Sequence, residues 1–289
     1  MAMNRNEQTE EIVRLLEKLR IFTAKDWFGF NPDMFNKWVS IAEGLLKQAR
    51  IKYCKYTVYQ SFISGFSLDS MYSLRSRALK EICDFNGLNL ACVASVLGRW
   101  MWEWSISGYQ NTINTLYIVG DNTTDAEILC YSIVRSFHCV LTVDENLDTK
   151  ELFKIQDQTK FLYFPSVGNT ALFNKAHINQ LLRGRDFNII TTESKLGVIT
   201  PLKCLVHLNK LPETFPTSPD QHAVIHLTEP SLGKVPTEPE LRFCVSNLYS
   251  DDTFRCTNPY GVICSSLQTD SVCSSCDKCY INILHYSPD

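Results

Sequence analysis

Two rhythms of apolar and polar positions run along the chain. Over residues 8–112 the rhythm is helical. "EEIVRLLEKL" puts Ile12, Leu15, Leu16 and Leu19 on one face, and "MFNKWVSIAEGLLKQA" repeats the pattern with Phe35, Trp38, Val39, Ile41, Leu45 and Leu46. "SMYSLRSRALKEICDF" and "LACVASVLGRWMWEW" complete a four-helix set, with Asn31–Pro32 and Asn86–Gly87 as breakers. Trp100, Trp102 and Trp104 end this region at a spacing too awkward for one helix face, which predicts a helix end packed onto the next domain. Over residues 113–230 the rhythm shortens to β-branched and aromatic runs, "TLYIV", "CVLTV", "FLYF", "KCLVHL" and "AVIHL", with helical stretches between some of them. Strand–helix alternation of this kind predicts an α/β layer with a mainly parallel sheet. "FNIITTESKLGVI" reads instead as a hairpin.

Composition narrows the picture. The chain has 289 residues, 45% hydrophobic and 20% charged, which is globular rather than disordered. The net charge of −3 excludes a strongly basic nucleic-acid footprint, although a local patch such as Arg183, Arg185 and Lys195 remains open. The charged N-terminus lacks a signal-peptide core, and the apolar stretch "LNLACVASVLG" is too short to span a bilayer. The expectation is a soluble protein without a membrane span, made in the cytosol and not secreted. In that setting the 12 cysteines read as reduced thiols or metal ligands.

The candidate chemistry begins where the helical region gives way to the sheet. "NTLYIVGDNTTDAEILCYSI", starting at Asn114, has the outline of a phosphate-binding loop: an apolar strand, a glycine, a polar loop and a helix. Together with "EICDFNGLNLACVASVLGRW" it resembles the helicase region of parvovirus Rep and large non-structural proteins, a superfamily 3 helicase, as captured by larger DNA viruses such as avian adenoviruses. Asn86–Gly87, Ala94–Ser95–Val96 and Trp100 match the first family string, and Asn114–Thr115, Gly120, Thr123–Thr124 and Ile133 match the second. The stretch from Gly184 to Asn209 keeps the spacing from the family's DNA-reading hairpin to its third motif. The resemblance spans roughly residues 10–230. It implies an N-terminal helical domain (1–112), a helicase-like sheet domain of the AAA+ kind (113–230) and, by analogy, oligomerisation.

The positions that would touch nucleotide depart from that pattern. A phosphate loop needs a second glycine, a lysine for the β/γ oxygens and a hydroxyl for Mg²⁺. This sequence has Asp125, Ala126 and Glu127 there. Like charges at such distances repel by more than about 1 kcal/mol even at an effective dielectric of about 20. The acid pair expected after the "FLYF" strand is Pro165–Ser166, and neither side chain binds a metal as a carboxylate does. The family's intersubunit arginine falls on His222. The hairpin lysines fall on Thr192 and Ser194, with Lys195 displaced by one position, which turns its side chain to the other face. Asn209 is retained at the end of the third-motif strand. The nucleotide-site positions Gly120, Thr123, Thr124, Asp125, Ala126, Glu127 and Asn209 therefore read as degenerate, no catalytic residue is assigned, and ATP and Mg²⁺ are not expected.

Residues 231–289 read as a tail that opens on a Pro-rich connector and holds six cysteines. Cys273, Cys276 and Cys279 form a C-x₂-C-x₂-C run, a spacing that suits a tetrahedral zinc site. Cys264 is the first choice of fourth ligand, with Cys256, Cys244 and His285 as alternatives. Iron–sulfur binding is chemically allowed, and free thiols are the plain alternative. Cys54, Cys83, Cys92, Cys130, Cys139 and Cys204 lie in apolar patterns and read as core.

The whole predicts a Rep-like pseudo-helicase that acts as a non-enzymatic replication accessory or engages a viral or host protein. The rivals are an ATP-binding superfamily 3 helicase subunit and a zinc-dependent nucleic-acid-binding protein.

Overall fold

The computed structural model describes residues 5–64, 77–88, 90–102, 113–144, 147–167, 173–213, 215–218 and 221–248. Trp104 and the cysteines from Cys256 onward lie outside the described residues.

Four N-terminal helices build a core of their own. They are α1 (Arg5–Lys18), α2 (Ala24–Phe30), α3 (Pro32–Trp38) and α4 (Ala42–Cys54). Thr23 and Asn31 cap α2 and α3 by accepting from Asp26 N–H and Met34 N–H, and Pro32 occupies the first turn of α3, where its missing N–H costs nothing. Trp27, Leu16, Leu46 and Ala49 are fully buried between them. Two expectations need correction. The helix read through residues 34–49 is broken by a 3₁₀ turn at Val39–Ile41, which leaves Val39 58% exposed and Ile41 at the surface. In α1 the buried stripe runs through Ile12, Val13 and Leu16, while Leu15 and Leu19 face outward. Position 13 rather than 15 points at the core because the 100° advance per residue places Val13 nearer the Leu16 face.

The next three helices, α5 (Val58–Ile63), α6 (Ala78–Phe85) and α7 (Leu90–Met101), share a second core with the sheet. Trp100 is fully buried, stands edge-on to Phe161 at 5.4 Å between ring centroids, and donates from Nε1 to the carbonyl of Asn114 at 3.2 Å. The end of α7 thus packs onto the sheet that follows it, in one shared core.

The sheet region runs β1 (Thr115–Val119), α8 (Ala126–Arg135), β2 (Val140–Thr142), α9 (Thr149–Ile155), β3 (Phe161–Val167), α10 (Ala176–Leu182), β4 (Phe187–Ile190), β5 (Leu196–Ile199), β6 (Lys203–Leu208) and β7 (His222–His226). Five strands form one parallel sheet in the order β2-β3-β6-β1-β7. Every residue of β1 is buried, the mark of a strand covered on both faces. The chain leaves β1 toward β2 at one edge and steps back through β3 and β6 before passing β1 to β7. With right-handed crossovers, this reversal puts α8 on one face and α9 and α10 on the other. The fold is α/β with a mainly parallel sheet, as the strand–helix alternation predicts.

The expected hairpin is present: β4 and β5 pair antiparallel, from Phe187 opposite Ile199 to Ile190 opposite Leu196, with Ser194 left-handed (φ 57°) in the turn. Residues 231–248 are not simply tail. Helix α11 (Glu238–Leu248) packs against α7 and α8 and buries Leu241, Cys244 and Val245 in the sheet-side core. Its Glu240 accepts from Leu79 N–H at 2.8 Å, capping an α6 terminus that has no side-chain cap of its own. Cys244, weighed as a zinc ligand, is a core thiol whose pKa burial pushes up to about 12, so it is withdrawn from that set.

Candidate functional site

The loop after β1 occupies the place a ligand site would take in this topology. Open parallel sheets bind ligands beyond the carboxyl ends of the strands, where the strand order reverses. The loop Gly120–Asp125 leaves β1 at that reversal, between β6 and β7. Gly120 is held from both sides: its N–H donates to Leu208 of β6 at 2.8 Å, and Leu227 N–H donates to Val119 at 2.8 Å. A Cβ on Gly120 would lie 2.3 Å from Thr124 Oγ1 and 2.8 Å from the Leu227 carbonyl, so only glycine fits. Beneath it, buried His207 of β6 places Nε2 3.0 Å from the Gly120 carbonyl, which as an acceptor takes its N–H. Asn209 follows Leu208, so register brings it beside Gly120 at the same edge, half-buried.

The loop is closed by its own side chains. The Asp121 carboxylate accepts from the Thr123 backbone N–H at 2.8 Å and from its hydroxyl at 2.6 Å. These bonds hold the Asp121 carboxyl below the usual carboxylate range. Thr124 Oγ1 donates to the Asp121 carbonyl at 2.9 Å and receives the Ala126 N–H at 3.4 Å. In an anion-binding loop such amides would point at a ligand; here they point at Asp121 and Thr124. Asp125 is buried, and its carboxylate accepts from Ser231 N–H beyond β7, which fastens the connector across the start of α8. Glu127 adds a further carboxylate in the first turn of α8. No lysine stands at these positions, and the carboxylates of Asp121, Asp125 and Glu127 crowd the place where phosphate charge would sit, so the residues do not fit a nucleotide.

The second strand of the expected chemistry tells the same story. Between Phe164, paired with Val206, and Val167, paired with Leu208, β3 shifts register. Pro165 falls in that irregularity because it has no N–H to give a ladder. His222 is buried at the start of β7, with Nδ1 2.6 Å from Thr217 Oγ1. Burial pushes its pKa down to about 4. It is neutral and inward-facing, and it cannot serve as a cation reaching a neighbouring subunit. In the hairpin, Lys195 is exposed and paired with Glu193 at 2.8 Å, while Arg183 donates to the Pro216 carbonyl at 3.2 Å. Arg183 and Arg185 line one pocket, and Lys195 is not among its lining residues.

Several motif residues that match the resemblance serve the scaffold. Asn114 donates from Nδ2 to the carbonyls of Leu181 at 2.7 Å and Leu202 at 3.0 Å. Gly184 is left-handed (φ +62°) and so close to Asn114 that a Cβ would lie 2.6 Å from its Cγ. Asn86 accepts from Thr228 and Glu229 N–H at 2.7 and 3.0 Å, tying the α6–α7 turn to the chain after β7. Among the described residues, no group of three or more His, Cys, Asp or Glu side chains is placed to hold a metal, and no helix is long and apolar enough to cross a membrane.

This architecture is an α/β domain whose first strand–helix loop is closed on itself. The chain is 35% identical, over 202 residues, to the uncharacterized protein ORF12 of Fowl adenovirus A serotype 1 (strain CELO / Phelps), an alignment spanning 66% of this chain and 95% of that protein. It belongs to the family of that adenoviral protein. No family model matches. Solved structures of similar outline include the JCV helicase (8% identity, TM-score 0.48, 82% of this chain and 85% of that one) and an inhibitor-bound JCV helicase (10%, 0.45, 85% and 87%). At these identities and scores they assign no function.

Proposed function

We propose that the protein is a pseudo-helicase: a superfamily 3-like scaffold of Rep type that has given up nucleotide chemistry and works by binding another protein, as an accessory in viral DNA replication or against a host factor. The observation that carries this reading is the self-closed loop, in which the Asp121 carboxylate takes the Thr123 amide and hydroxyl and Asp125 bolts the loop to the connector after β7. The contrast in what matches supports it. Asn86, Trp100, Asn114, Gly120 and Gly184 hold the fold together, whereas the positions that would meet phosphate or metal are changed. A domain kept folded after losing its ligand chemistry retains its surfaces for another use. The adenoviral relative favours a viral setting, in host cytoplasm or nucleus.

Zinc belongs to the proposal through the donor chemistry of Cys273, Cys276, Cys279 and Cys264. The test of function is affinity capture of the full chain from infected cells, with Mg-dependent ATP hydrolysis measured on the same preparation. A defined partner with no turnover supports the reading, and turnover above background overturns it. The second reading, a nucleotide-binding helicase subunit completed by a partner's residues, rests on the retained Gly120, Thr123, Thr124 and Asn209.

A further inference from the structure

The two arginines on either side of Gly184 meet other cations where the N-terminal helices touch the sheet. Arg183 and Arg185 share a cavity of about 700 Å³ with Lys55, Lys160 and Lys203, and Asp157 is the one carboxylate among its described lining residues. One wall is the amino edge of the parallel sheet: Asn114 precedes β1, Lys160 precedes β3, Lys203 opens β6 and Gln221 precedes β7. The cavity therefore lies at the opposite end of the strands from the Gly120 loop. Its cations fall into two sets. Lys160 is buried, and its ammonium donates to the Tyr53 carbonyl at 2.8 Å and the Tyr56 carbonyl at 2.6 Å, at the end of α4. Lys203 donates to the carbonyls of Trp102, at 3.2 Å, and Ile113. Neutral carbonyls fix these two ammonium groups in place without cancelling their charge, and salt screens a buried charge less than an exposed one. Lys55 and Arg185 are exposed at the rim, and neither has an ion-pair partner among the described residues. Arg183 spends Nε on the Pro216 carbonyl at 3.2 Å, and its terminal nitrogens have no acid partner among those residues. Five cations against one acid thus gather in a chain whose net charge is −3. Such like charges repel until a ligand brings the opposite sign.

We propose that this cavity is the docking site for an acidic segment of a partner protein, with Arg183, Arg185 and Lys55 pairing with its carboxylates and Lys160 and Lys203 supplying the field behind them. The proposal rests on the reading of the chain as a protein-binding scaffold and names the chemistry of the partner. A guanidinium fork matches a carboxylate through two parallel bonds, which gives the arginines geometric as well as electrostatic preference. A nucleic acid strand suits the cavity less. Strands are held by a series of aromatic side chains on which successive bases stack, and Tyr56 is the one aromatic on the described lining. A long polyanion also meets the negative net charge of the whole chain, whereas a short acidic segment needs only the local excess of cations.

The test is fluorescence anisotropy of the full chain, at physiological ionic strength, with labelled oligoglutamate, oligolysine and a single-stranded oligonucleotide as probes. The expected result is saturable binding of oligoglutamate, none of oligolysine, and affinity that falls as salt is raised. Arg185→Glu and Lys55→Glu should each weaken oligoglutamate about tenfold or more. Both residues are exposed, so these variants leave the core untouched. Lys195→Glu changes the net charge by the same amount outside the cavity and should bind as the unmodified chain does. The proposal is overturned if oligoglutamate fails to bind, if the two cavity variants bind it unchanged, if Lys195→Glu weakens it equally, or if the oligonucleotide binds more tightly. Such a failure leaves the pseudo-helicase reading to its own test, ATP turnover, which this assay does not measure.

Discussion

Asp121 and Thr123 satisfy one another: the carboxylate accepts both the backbone N–H, at 2.8 Å, and the hydroxyl, at 2.6 Å, of the residue two positions on. An aspartate turned back on its own loop is a local motif that needs no ligand. Asp121→Ala should therefore free the Thr123 amide, and hydrogen exchange at that amide should quicken. Because the folded carboxyl lies below its ordinary value of 3.8, what it contributes is present above that pH and is lost as the pH falls through the lower folded value. Unchanged exchange in the variant would show that the loop is held by something else.

His222 gives the fold an acid weakness. Its pKa falls from 6.5 to about 4 on burial, so between those values the unfolded chain binds a proton that the folded chain refuses. Stability then declines as pH is lowered through this window, by up to about 3 kcal/mol for the full shift. Denaturant midpoints measured from pH 7 down to 4 should show this slope, and it should shrink in His222→Gln. An equal slope in the variant would place the effect elsewhere.

Gly120 should tolerate no side chain. Gly120→Ala puts a methyl against Thr124 Oγ1 and the Leu227 carbonyl, and one of these contacts is backbone that has no room to give. The expected loss is about 1–3 kcal/mol, read as a lower urea midpoint at unchanged slope. A midpoint equal to wild type would mean that the β1–α8 turn is looser than its contacts imply.

For the cysteine tail, elemental analysis after reducing, chelator-free purification should find about one zinc per chain. Cys276→Ser should release it and open the tail to protease while the rest of the protein stays folded, since metal binding supplies order that a small apolar core cannot. Zero metal in the wild-type chain would make these cysteines ordinary thiols.

The parts of the fold that follow local pattern were legible in the sequence. The buried run Thr115–Val119, the helix after it and the hairpin at 187–199 each show in the periodicity of a few residues. What stayed hidden depends on distant partners. Nothing near Asp125 announces a bond to Ser231, more than a hundred positions away, and nothing near Cys244 says that its helix closes over α7. The kink at Val39–Ile41 was illegible for another reason: both sides of it are apolar, so the pattern runs on through the break. The missing lysine and acids were plain from sequence, but sequence alone did not show that Asp121 bonds back to Thr123 within the loop. The Asp-x-Thr string from Asp121 was the available signal.

The central claim is that the loop after β1 holds no nucleotide. Calorimetric titration of the full chain with ATP, with and without Mg²⁺, tests it directly. The account expects no saturable heat in either case, and no ATP hydrolysis even after Asp125→Gly, Ala126→Lys and Glu127→Thr are combined, because Pro165 and Ser166 still supply no metal carboxylate. A saturable, Mg-dependent isotherm with the unmodified chain, lost on changing Asn209, would contradict it.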